Sequence, residues 1–379
     1  MKKSILFLFL IAVSIQTSRS QVVHLPDSIY SGKQGKLHVQ GTVVDQAHGY
    51  VYFSFTDKLI KTDLSGRLIG SVTGFVGHLG DLDFTDDGKI YGSLEYKNDA
   101  IGKGIKKALG AQTSNEDGFY IAIFDGSRIV RPNMDAERED LLRTVYIKEA
   151  VNDYAAKVKV GNQEKLHRFA CSGIDGVAFA PSIGSSNTTK KFLYVAYGIY
   201  GDTDRNDNDY QVILKYDISD WKKYAQPLSQ DKLHHSGPEK PLEKYFVKTG
   251  NTHYGIQNLA YDSYTGNLFA AVYPGSKSQF PNYSLFVIDG KKQPVKDYIT
   301  SDNHPIKVKT LSLLEAGSKD PKTGIRGWFF EWGATGLCPL GNGTFYISHH
   351  NKTKDGQQQT TLHKYQWVGN DQNAFSLVK

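Results

Sequence analysis

Carboxylate, imidazole and aromatic side chains occur at matching points of five distant segments of the chain. Carboxylates and imidazoles transfer protons, and aromatic rings stack on ligands, so this mixture suits a polar or sugar-like molecule. Two facing carboxylates, Asp175 with Glu95 or Glu331, would supply the acid and the base of glycoside hydrolysis. The candidate catalytic residues are Glu95, Asp175, His253 and Glu331. The candidate ligand-binding residues are His38, Gln40, His78, Tyr197, Gln257, Tyr273, Arg326, Trp332 and His349.

An acidic stretch that begins at Asp202 suggests a separate metal site. Asp202, Asp204 and Asn206 place oxygen atoms at alternating positions, as in the first half of an EF-hand calcium loop. Asp207 stands where such a loop needs glycine, and Ile213 stands where it needs a bidentate glutamate. A calcium loop of another type and a solvated hairpin tip both stay open. Calcium is therefore the one cofactor that the sequence suggests.

The candidate residues need a fold that brings five distant segments together, and internal repeats predict one. Each repeat has a strand that opens on small or polar residues, then a Gly-containing turn and two aromatic strands. The first strands open near His38, Gly77, Gly173, Gly255 and Gly333. Weaker fourth strands follow most units, for example at residues 67–72 and 306–314. Five four-stranded units in series predict an all-β protein, a five-bladed β-propeller.

The second repeat is longer than the others. Its excess lies at about residues 97–118 and 131–166, which we interpret as loop insertions that are partly helical around 135–142. A sixth blade within residues 143–163 is the alternative.

Either end of the chain could close the predicted ring, through a strand at residues 21–25 or at 375–378. In such a ring, the starts of the first strands share one face with the hairpins between second and third strands. The candidate residues would therefore meet at the central mouth of that face, where binding pockets form.

Residues 1–20 have the pattern of a signal peptide. Lys2 and Lys3 precede an apolar run at residues 5–15, and small residues at positions 18 and 20 allow cleavage after residue 20. No cysteine lies near that point to accept a lipid anchor. We expect residues 21–379 to form one exported domain, periplasmic or extracellular, with no membrane insertion.

The composition excludes several classes of protein. The chain has 37 Gly, 23 Tyr and 19 Phe but only 2 Met among 379 residues, which favours strands over helical bundles or disorder. Removing Lys2, Lys3 and Arg19 with the signal peptide lowers the formal charge from +6 to +3. Such a small charge predicts no nucleic-acid partner. We expect a monomer, and we predict that Cys171 and Cys338, in nonadjacent blades, are free thiols.

Over residues 21–379 the repeat pattern resembles the secreted bacterial five-bladed β-propellers. The Gln40-Gly41 pair with its aromatic second strand is also similar to the bacterial glutaminyl cyclotransferase propellers, whose activity we do not transfer. The sequence predicts a propeller that binds a polar small molecule or a glycan at its mouth. The alternative is a glycan-active hydrolase or lyase that uses carboxylate, His and Tyr groups there. Carboxylates that converge, one of them with a raised pKa, would favour the enzyme.

Overall fold

A computed structural model describes residues 24–85, 87–111 and 113–378. The predicted signal peptide at residues 1–20 lies outside the described residues. Among the described residues, no helix is long and apolar enough to cross a bilayer.

Five mainly antiparallel sheets form five blades, which confirms the predicted propeller. Blades are numbered here along the chain, and the strands of each blade from the axis outward. Blade 1 contains Val39–Asp45, Tyr50–Phe55, Lys58–Asp63 and Leu68–Thr73. Blade 2 contains His78–Phe84, Lys89–Tyr96, Gly118–Asp125, Leu142–Tyr146 and the short edge Gln226–Pro227. Blade 3 contains Cys171–Pro181, Lys191–Ile199, Tyr210–Tyr216 and Glu243–Lys248.

The last two blades have less regular outer edges. Blade 4 contains Thr252–Asp262, Asn267–Pro274 and Leu285–Ile288. Blade 5 contains Leu337–Pro339, Thr344–Lys352 and Gln358–Trp367. Small two-residue strands, Ser318–Lys319 and Arg326–Gly327, pair beside blade 4.

Both ends of the chain close the ring, whereas the sequence predicted one or the other. Ser28–Tyr30 and Phe375–Leu377 each pair antiparallel with the third strand of blade 5, at different points along it. The C-terminal prediction is confirmed. The N-terminal strand lies at Ser28–Tyr30, which pairs with residues 361–363. Of the predicted strand at 21–25, residues 24 and 25 are not in a strand, and residues 21–23 lie outside the described residues.

The insertions of the second repeat contain helices, but not where the sequence predicted one. The helices are α1, Ala100–Leu109, and α2, Lys148–Ala155. Residues 136–140 form turns. The Asp135 carboxylate caps their first N–H groups as at the start of a helix, but Asp140 has a φ of 50°, which ends the turns before a helix can extend. The next residues supply the outer strand of blade 2, then α2 and a small hairpin of Lys157–Val160 with Gln163–Leu166. No sixth blade is present among the described residues.

The predicted strand at 306–314 joins a different blade from the one expected. A hairpin of Val295–Ser301 and His304–Thr310 extends the sheet of blade 3, where it pairs in parallel with Glu243–Lys248. The edge of blade 4 is left with isolated bridges, at Leu313 and Trp328. The reason is that the hairpin covers the edge of blade 3, which would otherwise expose unpaired backbone groups.

The hydrophobic core lies between neighbouring blades. Four clusters of buried side chains join blade 1 with blades 2 and 5, blade 2 with 3, blade 3 with 4, and blade 4 with 5. Tyr and Phe on the second and third strands fill these layers, as their spacing predicted. Cys171 and Cys338 are buried and unbonded, which confirms the predicted free thiols.

Asp81 of blade 2 ties three inner strands together. It is buried, and its Oδ2 accepts the N–H of Val177 in blade 3 at 3.0 Å and the N–H of Leu259 in blade 4 at 2.9 Å. Its Oδ1 accepts the N–H of Leu82. Burial raises the pKa of Asp81 well above its ordinary value, although these three donors oppose the shift.

Asn258 of blade 4 extends the same connection to the two remaining blades. Its side-chain amide donates to the carbonyl oxygen of Gln40 in blade 1 at 2.7 Å. Its carbonyl oxygen accepts the N–H of Leu337 in blade 5 at 3.1 Å. The strands come this close because glycine opens them: a Cβ on Gly41 would lie 2.8 Å from the Cα of Asp81. Asp81 and Asn258 together therefore connect all five blades across the axis.

We predict that Asp81→Ala destabilises the ring, because it leaves buried N–H groups of three blades without acceptors. The free energy of unfolding should fall by about 3 kcal/mol or more. Asp81→Asn, which keeps one acceptor oxygen, should lose less. Urea denaturation measures both, with Asp204→Ala in an exposed loop as the control that changes little. Equal losses in Asp81→Ala and Asp204→Ala would contradict the role given to Asp81.

Candidate functional site

Three of the predicted residues meet at the end of the axis where the inner strands begin. His78 opens the inner strand of blade 2, Glu95 lies opposite it in the second strand, and Asp175 lies in the inner strand of blade 3. The Nδ1 atom of His78 is 3.4 Å from Glu95 Oε2 and 3.8 Å from Asp175 Oδ1. The mouth thus joins two carboxylates around one imidazole.

Glu95 is the most deeply buried of the three. Its Oε1 accepts the N–H of Ile174 at 2.6 Å, and its Oε2 lies 2.8 Å from the ammonium of Lys97. Burial alone would raise the pKa of Glu95, but Lys97 and His78 outweigh burial and hold it below its ordinary value. Gly173 makes room for this carboxylate, because a Cβ there would overlap Glu95 Oε1. Glu95 therefore stays ionised.

Lys97 is a buried cation that the sequence analysis missed. It donates to the carbonyl of Ser172 at 2.9 Å and lies 3.8 Å from Asp99, which also caps α1. Burial would lower the pKa of Lys97, but Glu95, Asp99 and Asp175 outweigh burial and raise it, so the ammonium keeps its proton. The available signal was its position two residues after Glu95, directly past the end of the strand Lys89–Tyr96, where the alternation of the strand still places both on one side.

Asp175 differs from Glu95 because no cation pairs with it directly. Burial, with the charge of Glu95, raises the pKa of Asp175 to about 7. Its Oδ2 accepts a hydrogen bond from Gln257 at 3.0 Å, which places Gln257 beside this group. Its side chain is 10% exposed, so the carboxyl group reaches the mouth.

His78 turns its Nδ1 toward both carboxylates. That atom is buried without a hydrogen bond of good geometry, and the ring is 14% exposed. The described residues offer Nε2 no hydrogen-bond partner. An imidazole held in this way by a carboxylate can exchange a proton through its other nitrogen.

An aromatic wall from blade 4 stands beside Asp175. Tyr273 is edge-on to Tyr254, with ring centroids 6.4 Å apart, and His253 lies next to Tyr254. Burial, then the charge of Asp175, raises the pKa of Tyr273 to about 12. His253 and Tyr273 thus lie at the mouth as predicted, whereas Tyr254 was missed.

Blade 5 and the start of blade 1 contribute a separate group of histidines. His38 contacts His350 at 4.9 Å between ring centroids, and burial and then His350 lower the pKa of His38 to about 4. Trp332 stacks on His349 at 4.0 Å. Burial lowers the pKa of His350, and the charge of the exposed Glu331 only opposes this shift. Glu331 therefore belongs to this group and not to that of Glu95 and Asp175.

Three other predicted ligand residues have different surroundings. Tyr197 is fully buried between blades, and its hydroxyl donates to Asp153 at 3.1 Å. Arg326 donates to the carbonyl of Gly317 beside blade 4, away from the mouth. The side chain of Gln40 donates to Thr56 at 3.1 Å, at the mouth end of blade 1.

The predicted calcium loop is held together by the protein's own cations. Asp202 lies 3.2 Å from Lys165, while Asp204 and Asn206 are exposed. Next to them, Arg205 forms a buried pair with Asp207 and donates to the carbonyls of Leu166 and His167. Calcium at this loop stays a prediction.

His78, Glu95 and Asp175 could each offer one ligand atom to a metal ion, within 4.8 Å of one another. Lys97 already places a positive charge 2.8 Å from the Glu95 oxygen. A divalent cation would have to share that oxygen with the ammonium, so the donor set suits a proton better than a metal.

A cavity of about 390 Å³ lies at the opposite end of the axis. It is lined by the far ends of the inner strands, including Asp45, Asp83 and Cys338. Asp81 and Asn258 lie between this cavity and the mouth. The two ends of the axis are therefore separate sites.

No protein-family model matches the chain, and no curated protein matches its sequence. Among solved structures it is similar to a luciferin-regenerating enzyme, with 13% identity over 93% of this chain and 99% of the other, at a TM-score of 0.35. It is also similar to an arabinanase of Bacillus subtilis, with 9% identity over 89% and 97%, at 0.36. The PQQ domain of a pyranose dehydrogenase from Coprinopsis cinerea has 11% identity over 86% and 82%, at 0.31. At these TM-scores, none of the three assigns an activity to this chain.

We predict that Gly173→Ala disrupts the site as well as the backbone. Gly173 has φ 130°, and a Cβ would meet both Glu95 and the Phe119 ring. Gly161→Ala is the matched control, because Gly161 also has a positive φ, 60°, but open space around it. In urea denaturation, Gly173→Ala should lower the free energy of unfolding by about 2 kcal/mol more than Gly161→Ala does. Equal losses would show that Glu95 is not confined by Gly173.

We predict that Asp175 makes the stability of the protein fall as the pH rises toward 7. In the unfolded chain this carboxyl group ionises near its ordinary pKa of 3.8, whereas in the folded protein its pKa is about 7. Between these values the folded state holds a proton that the unfolded state has released, so raising the pH favours unfolding. In thermal melts from pH 5 to 8, the melting temperature of Asp175→Asn should rise relative to that of the wild type as the pH increases. The melting temperature of Asp204→Asn should change with pH as that of the wild type does. The same pH dependence in Asp175→Asn and the wild type would contradict the raised pKa of Asp175.

Proposed function

We propose that the protein is an exported enzyme that performs acid–base chemistry on a polar, hydroxyl-bearing molecule at the mouth of the ring. One observation carries the proposal: two neighbouring carboxyl groups have pKa values displaced in opposite directions around one imidazole. Such a split assigns different tasks to two acids, one kept ionised and one kept protonated.

Each residue of the group has a separate role in the proposed reaction. Asp175 carries a proton near neutral pH and donates it to a leaving oxygen of the substrate. His78 accepts a proton through Nε2, from the attacking water in hydrolysis or from the carbon next to the substrate's carboxylate in elimination. The ionised Glu95, 3.4 Å from Nδ1, offsets the charge that His78 gains. Lys97 keeps Glu95 ionised. Glu95 is too deeply buried to attack the substrate, since its side chain is 1% exposed, so the proposal has no covalent intermediate on it.

The substrate would enter along the wall formed by His253 and Tyr273. These residues and Gln257 surround Asp175 with polar atoms that suit hydroxyl groups. Cleavage of a glycosidic bond and elimination from an acidic sugar both need an acid and a base in this arrangement.

The test is turnover by the full mature chain on chromogenic glycosides and on uronate-containing glycans. Released chromophore reports hydrolysis, and absorbance of a new carbon–carbon double bond reports elimination. Asp175→Asn should lower kcat by about 100-fold or more, and Glu331→Gln, which changes an exposed carboxylate of the same face, should leave it within about twofold. Wild-type activity should decline above pH 7 as Asp175 loses its proton.

Two results would overturn the proposal. One is unchanged kcat in Asp175→Asn with a folded protein, as judged by circular dichroism. The other is glycan binding by the wild type without turnover of any substrate, which would make the protein a binding propeller.

A further inference from the structure

Tyr254 has a backbone conformation that residues other than glycine rarely adopt. Its φ is 66°, and the inner strand of blade 4 changes register here, between His253 and Ile256. A non-glycine residue in this region is strained, and such strain concentrates at functional sites. Gly255 follows with φ 74°, so the chain makes a sharp local turn at the rim of the mouth.

The turn is held by the same contacts that hold Asp175. The carbonyl of Tyr254 accepts a hydrogen bond from Gln257 Nε2 at 2.9 Å, and the same nitrogen donates to Asp175 at 3.0 Å. Gly198 of blade 3 lies against both, since a Cβ there would be 3.1 Å from Asp175 Oδ2 and 3.5 Å from the Tyr254 carbonyl. The strained residue and the proposed acid are therefore connected through a single side chain, that of Gln257.

The consequence of the turn is an aromatic ring at the edge of the site. Tyr254 is 45% exposed, and its aromatic neighbours are the half-buried Tyr273, edge-on to it, and His253. The rest of its surface is open to solvent at the rim of the mouth, next to the residues that hold Asp175.

We infer that Tyr254 is the stacking platform for a sugar ring of the substrate, which sets the substrate class as a carbohydrate. This inference rests on the proposed function, because the stacked ring must present its bond to Asp175. A sugar has a face of C–H groups that packs on an aromatic ring and a rim of hydroxyl groups that hydrogen-bond. A flat aromatic ligand would cover Tyr254 equally well but would remove water from the Asp175 carboxyl group without offering it a new hydrogen bond.

Substitutions at Tyr254 can separate the ring from the backbone. Tyr254→Gly removes the ring and accepts the positive φ, so the fold should be retained or stabilised. Tyr254→Phe keeps the ring. Tyr264→Gly is the matched control, because Tyr264 is 67% exposed and lies at the opposite end of the same blade, in the turn after its inner strand.

Binding is measured by native affinity electrophoresis in gels that contain arabinan, xylan, galactan or polygalacturonate. All variants carry Asp175→Asn, so that turnover does not consume the polysaccharide. For the polysaccharide that retards the parent, Tyr254→Gly should raise Kd about tenfold or more, while Tyr254→Phe and Tyr264→Gly stay within about twofold.

Unchanged Kd in Tyr254→Gly overturns the inference, and so does a parent that none of the four polysaccharides retards. Ring-dependent binding without turnover by the wild-type chain would leave this inference standing and refute the proposed function. Turnover by the wild type with an unchanged KM in Tyr254→Gly would support the proposed function and refute the inference about Tyr254.

Discussion

Hydrogen bonds from two side chains across the axis hold the ring in one piece. Asp81 joins blades 2, 3 and 4, and Asn258 joins blade 4 to blades 1 and 5. Neighbouring blades also share apolar layers, which fix distance but not height along the axis, and pairwise hydrogen bonds such as those of Glu95 to blade 3 and of Gln257 to Asp175. Directional bonds to the backbone fix the height, so the residues that open each inner strand arrive at one level. The mouth depends on this alignment, because His78, Glu95 and Asp175 come from three strands of two blades.

The mouth concentrates features that cost stability. Glu95 and Asp175 are buried close to one another, and His167, Phe169, Ala170 and Tyr254 have positive φ values. Each is held by contacts from elsewhere: Lys97 compensates Glu95, and Arg205 holds the carbonyls of residues 166 and 167. The acidic stretch around Arg205 thus has a structural task, since the Arg205–Asp207 pair braces the segment that leads to Gly173. Strain and buried charge in one place are typical of a site shaped for chemistry.

The opposite pKa displacements of Glu95 and Asp175 have one geometric origin. Both carboxylates lose water, but the ammonium of Lys97 reaches only Glu95 directly. Asp175 has the neutral amide of Gln257 instead and lies near the charge of Glu95. A single buried lysine therefore decides which acid is ionised and which holds a proton.

The sequence by itself determined the repeat, the number of blades, the free thiols and the segments that form the mouth. It did so because strand length, turn glycines and aromatic spacing are local properties. The grouping of His78, Asp175, Gln257 and Tyr273 at one face followed from the same register. Which side chains point into the mouth was decided only by the tertiary structure. Inner strands of blades 1 to 4 each change register near their start, and one added residue reverses the alternation of a strand.

The same reason explains the remaining differences. Tyr197 faces the core, although Tyr273 at the matching point of the next blade faces the mouth. Both ends of the chain pair with the third strand of blade 5, and the hairpin at residues 295–310 joins blade 3. The contacts of Lys97 and Tyr254 at the mouth are made with partners that lie far away along the chain or across a turn. Pairings of this kind depend on long-range packing, which no local pattern in the sequence encodes.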